Sequence, residues 1–184
     1  MIFLFVLIFT FFITTSRAME QINTRIVFIT GTSGSGKSTL IPEFKKKLTN
    51  DSFEIYDFDE NGVPQKADAI WRKVTTNYWI TKAQYNSLQG KSTIVCGVCV
   101  PLEIIESCTT LSTPIYFGFI KISNNLIEQR LKKRGWKDTL IQDNINWSYF
   151  LEKQVLSQKN HLIVDGSDKS PKDIANIFIN WIMQ

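Results

Sequence analysis

The sequence predicts an α/β fold of three layers, with a parallel five-stranded sheet between two layers of helices. Three observations predict it. Beyond Arg25, short apolar runs alternate with longer amphipathic stretches, the pattern of repeated strand–helix–strand units. The first apolar run leads straight into a glycine-rich turn and then a helical pattern. The chain has 184 residues, 43% apolar and 21% charged, enough to bury a core without covalent staples. The same composition excludes a disordered chain, a collagen-like repeat and a disulfide scaffold.

In chain order, strands are expected at residues 25–30, 53–58, 92–96, 115–122 and 161–165. The first helix starts near Gly36 and carries Leu40, Ile41, Phe44 and Leu48 at helical spacing. A long second helix covers residues 66–88. Ala67, Ile70, Trp71, Val74, Tyr78, Tyr85 and Leu88 fall on one stripe and are expected to form its core face, with Trp79 off that face and available to a substrate pocket. Further helices are expected at 124–134, 140–158 and 171–183, the last opening on Pro171, which suits a first helical turn. No repeat, linker or low-complexity segment interrupts residues 19–184, which are expected to form one domain.

Residues 1–18 form an apolar leader. Met1 to Ile13 contains a single polar residue, Thr10. Thirteen residues are too few for a helix across a bilayer core of ~30 Å. The length suits a signal peptide, and Ser16-Arg17-Ala18 offers small residues at a cleavage site, but no basic residue precedes the apolar run. The alternative is translation from Met19, where a polar sequence begins. A membrane partner follows only if the leader is retained. The net charge of +4 includes Arg17 and is too small to argue for a nucleic-acid partner. Cys96, Cys99 and Cys108 are an odd count, and the CxxC pair lacks the second pair that a zinc site needs. They read as small buried hydrophobes. The lone His161 reads as packing or capping at a strand start.

The most informative stretch is Gly31-Thr32-Ser33-Gly34-Ser35-Gly36-Lys37-Ser38-Thr39, which fits G-x-x-x-x-G-K-[ST] between an apolar strand and an amphipathic helix. Glycines let the main chain curl with its N–H groups facing inward, and the following helix aims its dipole at an anion. Lys37 would reach the β- and γ-phosphates of a nucleoside triphosphate, and the Ser38 hydroxyl would ligate Mg²⁺. The expected fold is therefore a P-loop nucleotide-binding fold.

Other segments narrow the use of the nucleotide. No N-K-x-D guanine reader occurs. Asp59-Glu60-Asn61-Gly62 matches D-x-x-G formally but reads as a turn. The third strand ends Cys96-Gly97 rather than in Asp-Glu, which counts against a motor ATPase.

From residues 25 to 181 the chain resembles the nucleoside monophosphate kinase-like superfamily, above all its shikimate/gluconate kinase-like and nucleoside kinase-like branches. Four features carry the resemblance: the phosphate loop with its helix; Tyr56-Asp57-Phe58-Asp59, similar to the D-x-D of shikimate kinases; Gly97 at the end of the third strand; and the basic stretch Arg130-Leu131-Lys132-Lys133-Arg134-Gly135-Trp136-Lys137. Gly97 stands in Gly-Val-Cys rather than a glycine triplet, and the arginines that hold shikimate are not identifiable. The resemblance implies strand order 2-3-1-4-5, a short basic lid, and phosphoryl transfer from ATP with Mg²⁺ to a small-molecule acceptor. A nucleotide hydrolase or a non-catalytic nucleotide-binding module are the alternatives. A reaction drawing on triphosphate favours the cytoplasm.

Strand alternation sends Asp57 and Asp59 to one face, which opens on the ligand crevice at the carboxyl end of a parallel strand. One would orient Mg²⁺ and the other would hold or deprotonate the acceptor; by resemblance Asp57 is nearer the metal. Arg130 and Arg134 lie four apart and share a helical face. Either would close over the transferred phosphoryl group, with Arg134 favoured, Lys137 a weaker candidate and Gly135 ending the helix and permitting a hinge. Arg72 and Lys73 are candidates for holding an anionic acceptor. By resemblance, Asp165-Gly166-Ser167-Asp168 would support the adenine.

Overall fold

In a computed structural model of the chain, the structure describes residues 24–48, 52–108 and 113–184. The leader, residues 1–18, lies outside the described residues. The element order is β1 (Ile26–Thr30), α1 (Lys37–Lys47), β2 (Phe53–Asp57), α2 (Ala69–Leu88), β3 (Ser92–Cys96), α3 (Pro101–Ser107), β4 (Ile115–Lys121), α4 (Asn124–Lys133), α5 (Asp138–Leu156), β5 (His161–Asp165) and α6 (Pro171–Ile182). The five strands form one sheet in the order β2-β3-β1-β4-β5, and every pair is parallel. The expected sheet and strand order are therefore both observed.

β1 occupies the centre, and all five of its residues are buried. A strand covered on both faces has no polar side to present, so Ile26-Val27-Phe28-Ile29 is a continuous apolar run rather than an alternating one. One core layer joins Val27 and Ile29 to Leu40 and Phe44 of α1, Ile127 and Leu131 of α4, and Phe178 of α6. The other joins Ile26 and Phe28 to Trp79 and Ile80 of α2, Ile104 of α3, and Leu151 and Val155 of α5. Helix α5 contributes to both, since its first turns place Ile141 and Ile145 in the former layer. It therefore runs past the phosphate loop on its way across the molecule.

Two element ends move for identifiable reasons. β2 stops at Asp57 because Asp57 Oδ1 accepts a hydrogen bond from Asp59 N at 3.0 Å, folding the chain into a turn. α2 starts at Ala69 because the Asp68 side chain accepts from Trp71 N at 2.8 Å, capping the helix. α3 is a short helix not anticipated from periodicity, with Pro101 at its first turn.

The face of α2 is a correction. Ile70, Val74, Tyr78, Tyr85 and Leu88 are exposed, and the buried positions are Thr76, Trp79, Ile80, Ala83 and Asn86, on roughly the opposite side of the helix. Asn86 can be buried because Nδ2 donates to Thr93 Oγ1 at 3.0 Å and to the Tyr56 hydroxyl at 3.3 Å. Once its polar groups are paired, the face containing Trp79 and Ile80 wins over the stripe with more apolar members. Trp79 consequently lines no pocket; it is fully buried, and its Nε1 donates to Phe58 O at 2.9 Å.

Candidate active site

The phosphate loop leaves β1 at Thr30 and enters α1 at Lys37. Gly36 is the N-cap of α1 in the left-handed region, with φ +99°, a conformation that a side chain would strain. The preceding loop is held from two sides. Thr30 Oγ1 donates to Cys99 O at 2.8 Å, tying the end of β1 to the segment after β3. On the far side, α5 brings Asn144 against the loop. Its Oδ1 accepts from Ser33 N at 3.2 Å, its Nδ2 donates to Ser33 O at 3.2 Å, and its main-chain carbonyl accepts from Thr32 Oγ1 at 2.9 Å. Asn144 was not singled out from the sequence. The available signal was a polar residue between Ile141 and Ile145 on the inward stripe of α5.

Lys37 is buried, and its Nζ donates to Thr32 O at 2.8 Å. Burial pulls its pKa from the usual lysine value down to about 8, against the opposing pull of Asp59, Cys99, Cys96 and Asp57. Asp59 moves the other way: burial and the neighbouring Asp57 raise its pKa, while Lys37 lowers it. The two acids at the end of β2 therefore share one electrostatic environment with the loop lysine. The route differs from the one expected, because Asp59 lies beyond the strand. The Asx turn, rather than strand alternation, brings it beside Asp57.

Phe58 between the acids is locked in place. A Cβ at Gly97 would stand 2.0 Å from Phe58 Cβ, so only glycine at the end of β3 leaves room for it. Trp79 anchors the Phe58 carbonyl from below, and Phe58 N donates to Cys96 O at 2.8 Å. Cys96 and Cys99 are buried free thiols; burial drives both pKa values up, that of Cys99 to about 12. Among the described residues no three His, Cys, Asp or Glu cluster as metal ligands.

Arg130 and Arg134 separate. Arg130 lies against the loop, with Nη1 donating to Gly34 O at 2.7 Å. Arg134 is the exposed C-cap of α4 rather than a helical residue sharing its face. Gly135 N donates to Lys132 O at 2.9 Å and Trp136 N to Leu131 O at 3.1 Å, the Schellman pattern, with Gly135 at φ +78°. Lys137 is the exposed N-cap of α5, so the basic stretch between the helices is a short hydrogen-bonded turn. Beyond β5, Ser167 N donates to Asp165 Oδ1 at 2.9 Å and Ser167 Oγ accepts from Ser123 N at 3.0 Å, joining that loop to the start of α4. His161 pairs with Gln158 O at 2.6 Å, as a strand-start contact.

Of the anionic-acceptor candidates, Lys73 is exposed, whereas Arg72 is engaged. It makes a bidentate pair with Glu103 of α3, and its guanidinium stands 5.6 Å from the centre of the Trp147 ring of α5.

The loop fits a polyphosphate. Ser35 Oγ is buried without a hydrogen-bond partner among the described residues, and Lys37 holds a buried cation with one carbonyl. Both groups are satisfied by an anion in the cradle. Ser38 and Thr39 are exposed on the first turn of α1, where the Ser38 hydroxyl is available to a phosphate-bound Mg²⁺.

A family profile described as an AAA domain, AAA_18, matches residues 27–156, most of the chain and all of the site elements up to α5. The chain belongs to this family. No curated protein matches its sequence. Among solved structures, this AAA-family chain is similar to shikimate kinase from Acinetobacter baumannii in complex with shikimate, at 12% identity and TM-score 0.62 over 89% of this chain and 94% of that one. It is also similar to a gluconokinase from Sinorhizobium meliloti 1021, at 17% identity and TM-score 0.57 over 89% and 93% of the two chains. A third is the APS kinase of Mycobacterium tuberculosis in complex with AMPPNP and APS, at 16% identity and TM-score 0.54 over 88% and 99%. At these identities the likeness is one of fold, and it is the P-loop small-molecule kinase fold that the sequence resembles. Among the described residues, no helix is long and apolar enough to cross a membrane.

Proposed function

We propose that this chain is an ATP- and Mg²⁺-dependent phosphotransferase acting on a hydroxyl of a small acceptor molecule. The observation that carries the reading is the convergence of buried Lys37, half-buried Asp57 and the more exposed Asp59 in one electrostatic environment at the carboxyl end of the sheet. The second acid, partly desolvated and raised in pKa, suits a group that receives a proton from an acceptor hydroxyl. The fold shared with shikimate kinase, gluconokinase and APS kinase supports the same reading.

In this scheme the amides of residues 31–39 and the Lys37 ammonium bind the β- and γ-phosphates. Asp59 holds the acceptor hydroxyl in line and takes its proton as the oxygen bonds to the γ-phosphorus and ADP departs. Asp57 and the Ser38 hydroxyl would hold Mg²⁺, which when bound neutralises charge on the phosphate oxygens. Arg130, already against the loop, faces the nucleotide, and Arg134 and Lys137 supply further positive charge at the rim.

An ADP-release screen against nucleosides, nucleotides, sugars and polyol acids tests the reading. At least one acceptor is expected to stimulate ADP formation, and Lys37→Ala to lower it by at least about a hundredfold with the fold intact. Nucleotide consumption that no acceptor stimulates would favour the hydrolase alternative, and saturable binding without product the binding module.

A further inference from the structure

The proposed chemistry leaves unused the apolar stripe of α2 that faces away from the core. Ile70, Val74, Tyr78, Tyr85 and Leu88 are 73%, 63%, 47%, 59% and 84% exposed. On a helical projection all five fall within about a quarter turn of one another, opposite the buried Trp79, Ala83 and Asn86. The stripe runs about 27 Å along the helix. The five side chains offer roughly 600 Å² of accessible surface. That is as much as the largest apolar patch an ordinary monomer shows, and close to the ~800 Å² each partner gives to a standard interface.

The stripe is also self-complementary. Ile70 and Leu88 lie nine positions before and after Trp79 on the same side of the helix, and Val74 and Tyr85 lie five before and six after it. Tyr78 and Thr81 flank the same midpoint more closely, at one before and two after. A second α2 laid antiparallel across the first, about a two-fold axis near Trp79, therefore brings Ile70 to the partner's Leu88, Val74 to the partner's Tyr85 and Tyr78 to the partner's Thr81. Isologous contact needs this correspondence, in which each residue meets the one that meets it in return.

Charge and order agree with the same occupant. The stripe holds no charged residue, and α2 contains no acid. Lys73 and Lys82 are nine residues and so half a rotation apart, on opposite edges of the stripe. In the antiparallel pair the two copies of Lys73 stand about 18 Å apart along the axis and those of Lys82 about 9 Å, against a screening length of ~8 Å. The tyrosines are already held. The Tyr78 ring lies edge-on to Trp79 with centres 4.8 Å apart, and Lys82 Nζ stands 5.9 Å from the centre of the Tyr85 ring. Rings held in this way lose little freedom on docking. We propose that α2 is the seam of a homodimer, with a second copy of this chain lying antiparallel across the stripe.

Sedimentation equilibrium of the full chain from about 1 µM to about 100 µM tests the proposal. The wild type is expected to reach twice the mass of one chain at the upper end. Val74→Glu and Tyr85→Lys, each alone, set a charge against an apolar partner and should raise the dimer dissociation constant at least about tenfold. Both positions are exposed, so far-UV circular dichroism and melting of the variants should match the wild type. The two substitutions combined in one chain place each carboxylate against the partner's ammonium. That double variant should dimerise at least about tenfold more tightly than either single one. The recovery is specific to the antiparallel seam, because residues 74 and 85 are eleven positions apart and do not meet within one helix. A wild type that stays monomeric at the upper concentration, single variants that dimerise as the wild type does, or a double variant no tighter than the singles each overturns the proposal. A dimer lost on deletion of residues 1–18 but kept in the single variants gives the association to the leader. A monomer that co-sediments with phosphatidylserine vesicles gives the stripe to a membrane surface. Either result refutes a second copy as the occupant.

Discussion

Lys37 links pH to both stability and nucleotide affinity, and the signs are opposite. Its folded pKa, about 8, lies below the ordinary 10.5 because burial disfavours the ammonium. A lysine depressed in this way penalises the folded state wherever it is charged, so the penalty is complete below about pH 8. It is relieved as the pH rises from there toward the unfolded value. The difference corresponds to about 3 kcal/mol at neutral pH. Lys37→Met removes that penalty and also the charged hydrogen bond to Thr32 O, worth roughly 2 kcal/mol. The ligand-free variant is therefore expected to be more stable than the wild type by about 1 kcal/mol near pH 7, with the advantage shrinking above pH 8. Nucleotide binding runs the other way. Polyphosphate needs the ammonium, which is about nine-tenths populated near pH 7 and about one-tenth near pH 9. Affinity should fall about tenfold over that interval, with close to one proton taken up per nucleotide at the upper end. Denaturant unfolding at several pH values measures the first effect. Isothermal calorimetry in buffers of different ionisation enthalpy measures the second. A Lys37→Met protein less stable than wild type near pH 7, or nucleotide binding near pH 9 without proton uptake, would refute the reasoning.

Three substitutions test how the site is held. Asn144→Ala leaves Ser33 N and O without their amide partner and should lower stability by about 1–3 kcal/mol, with weaker nucleotide binding by calorimetry. Gly97→Ala forces a methyl group to within 2.0 Å of Phe58 Cβ; thermal melts should show a loss of about 3 kcal/mol or more, accompanied by loss of activity as Asp57 and Asp59 shift. Trp79→Phe keeps a ring in the core but strands the Phe58 carbonyl. It should cost about 1–3 kcal/mol in urea unfolding.

The cradle was legible in the sequence because its chemistry is local. Residues 31–39 need glycines, a lysine and a hydroxyl at fixed offsets, whatever packs around them. The strands were legible for the same kind of reason. A strand covered on both faces reads as an unbroken apolar run, as Ile26 to Ile29 of β1 do, and each described strand begins and ends within a residue of its expected bounds. Asp57 and Asp59 were found, but by an argument the structure replaces, since a two-residue turn decides where Asp59 lies.

Tertiary structure alone decided which face of α2 is buried. Counting apolar residues favoured Ile70, Val74, Tyr78, Tyr85 and Leu88, because hydropathy has no means of crediting Asn86 with the partners that make its burial tolerable. It also decided that Asn144 clamps the loop across 111 residues of sequence. The pairing of Arg72 with Glu103 31 residues away was likewise settled only by packing. Short-range chemistry is written in spacing along the chain. Partnerships between side chains on different elements exist only once the sheet has set those elements side by side.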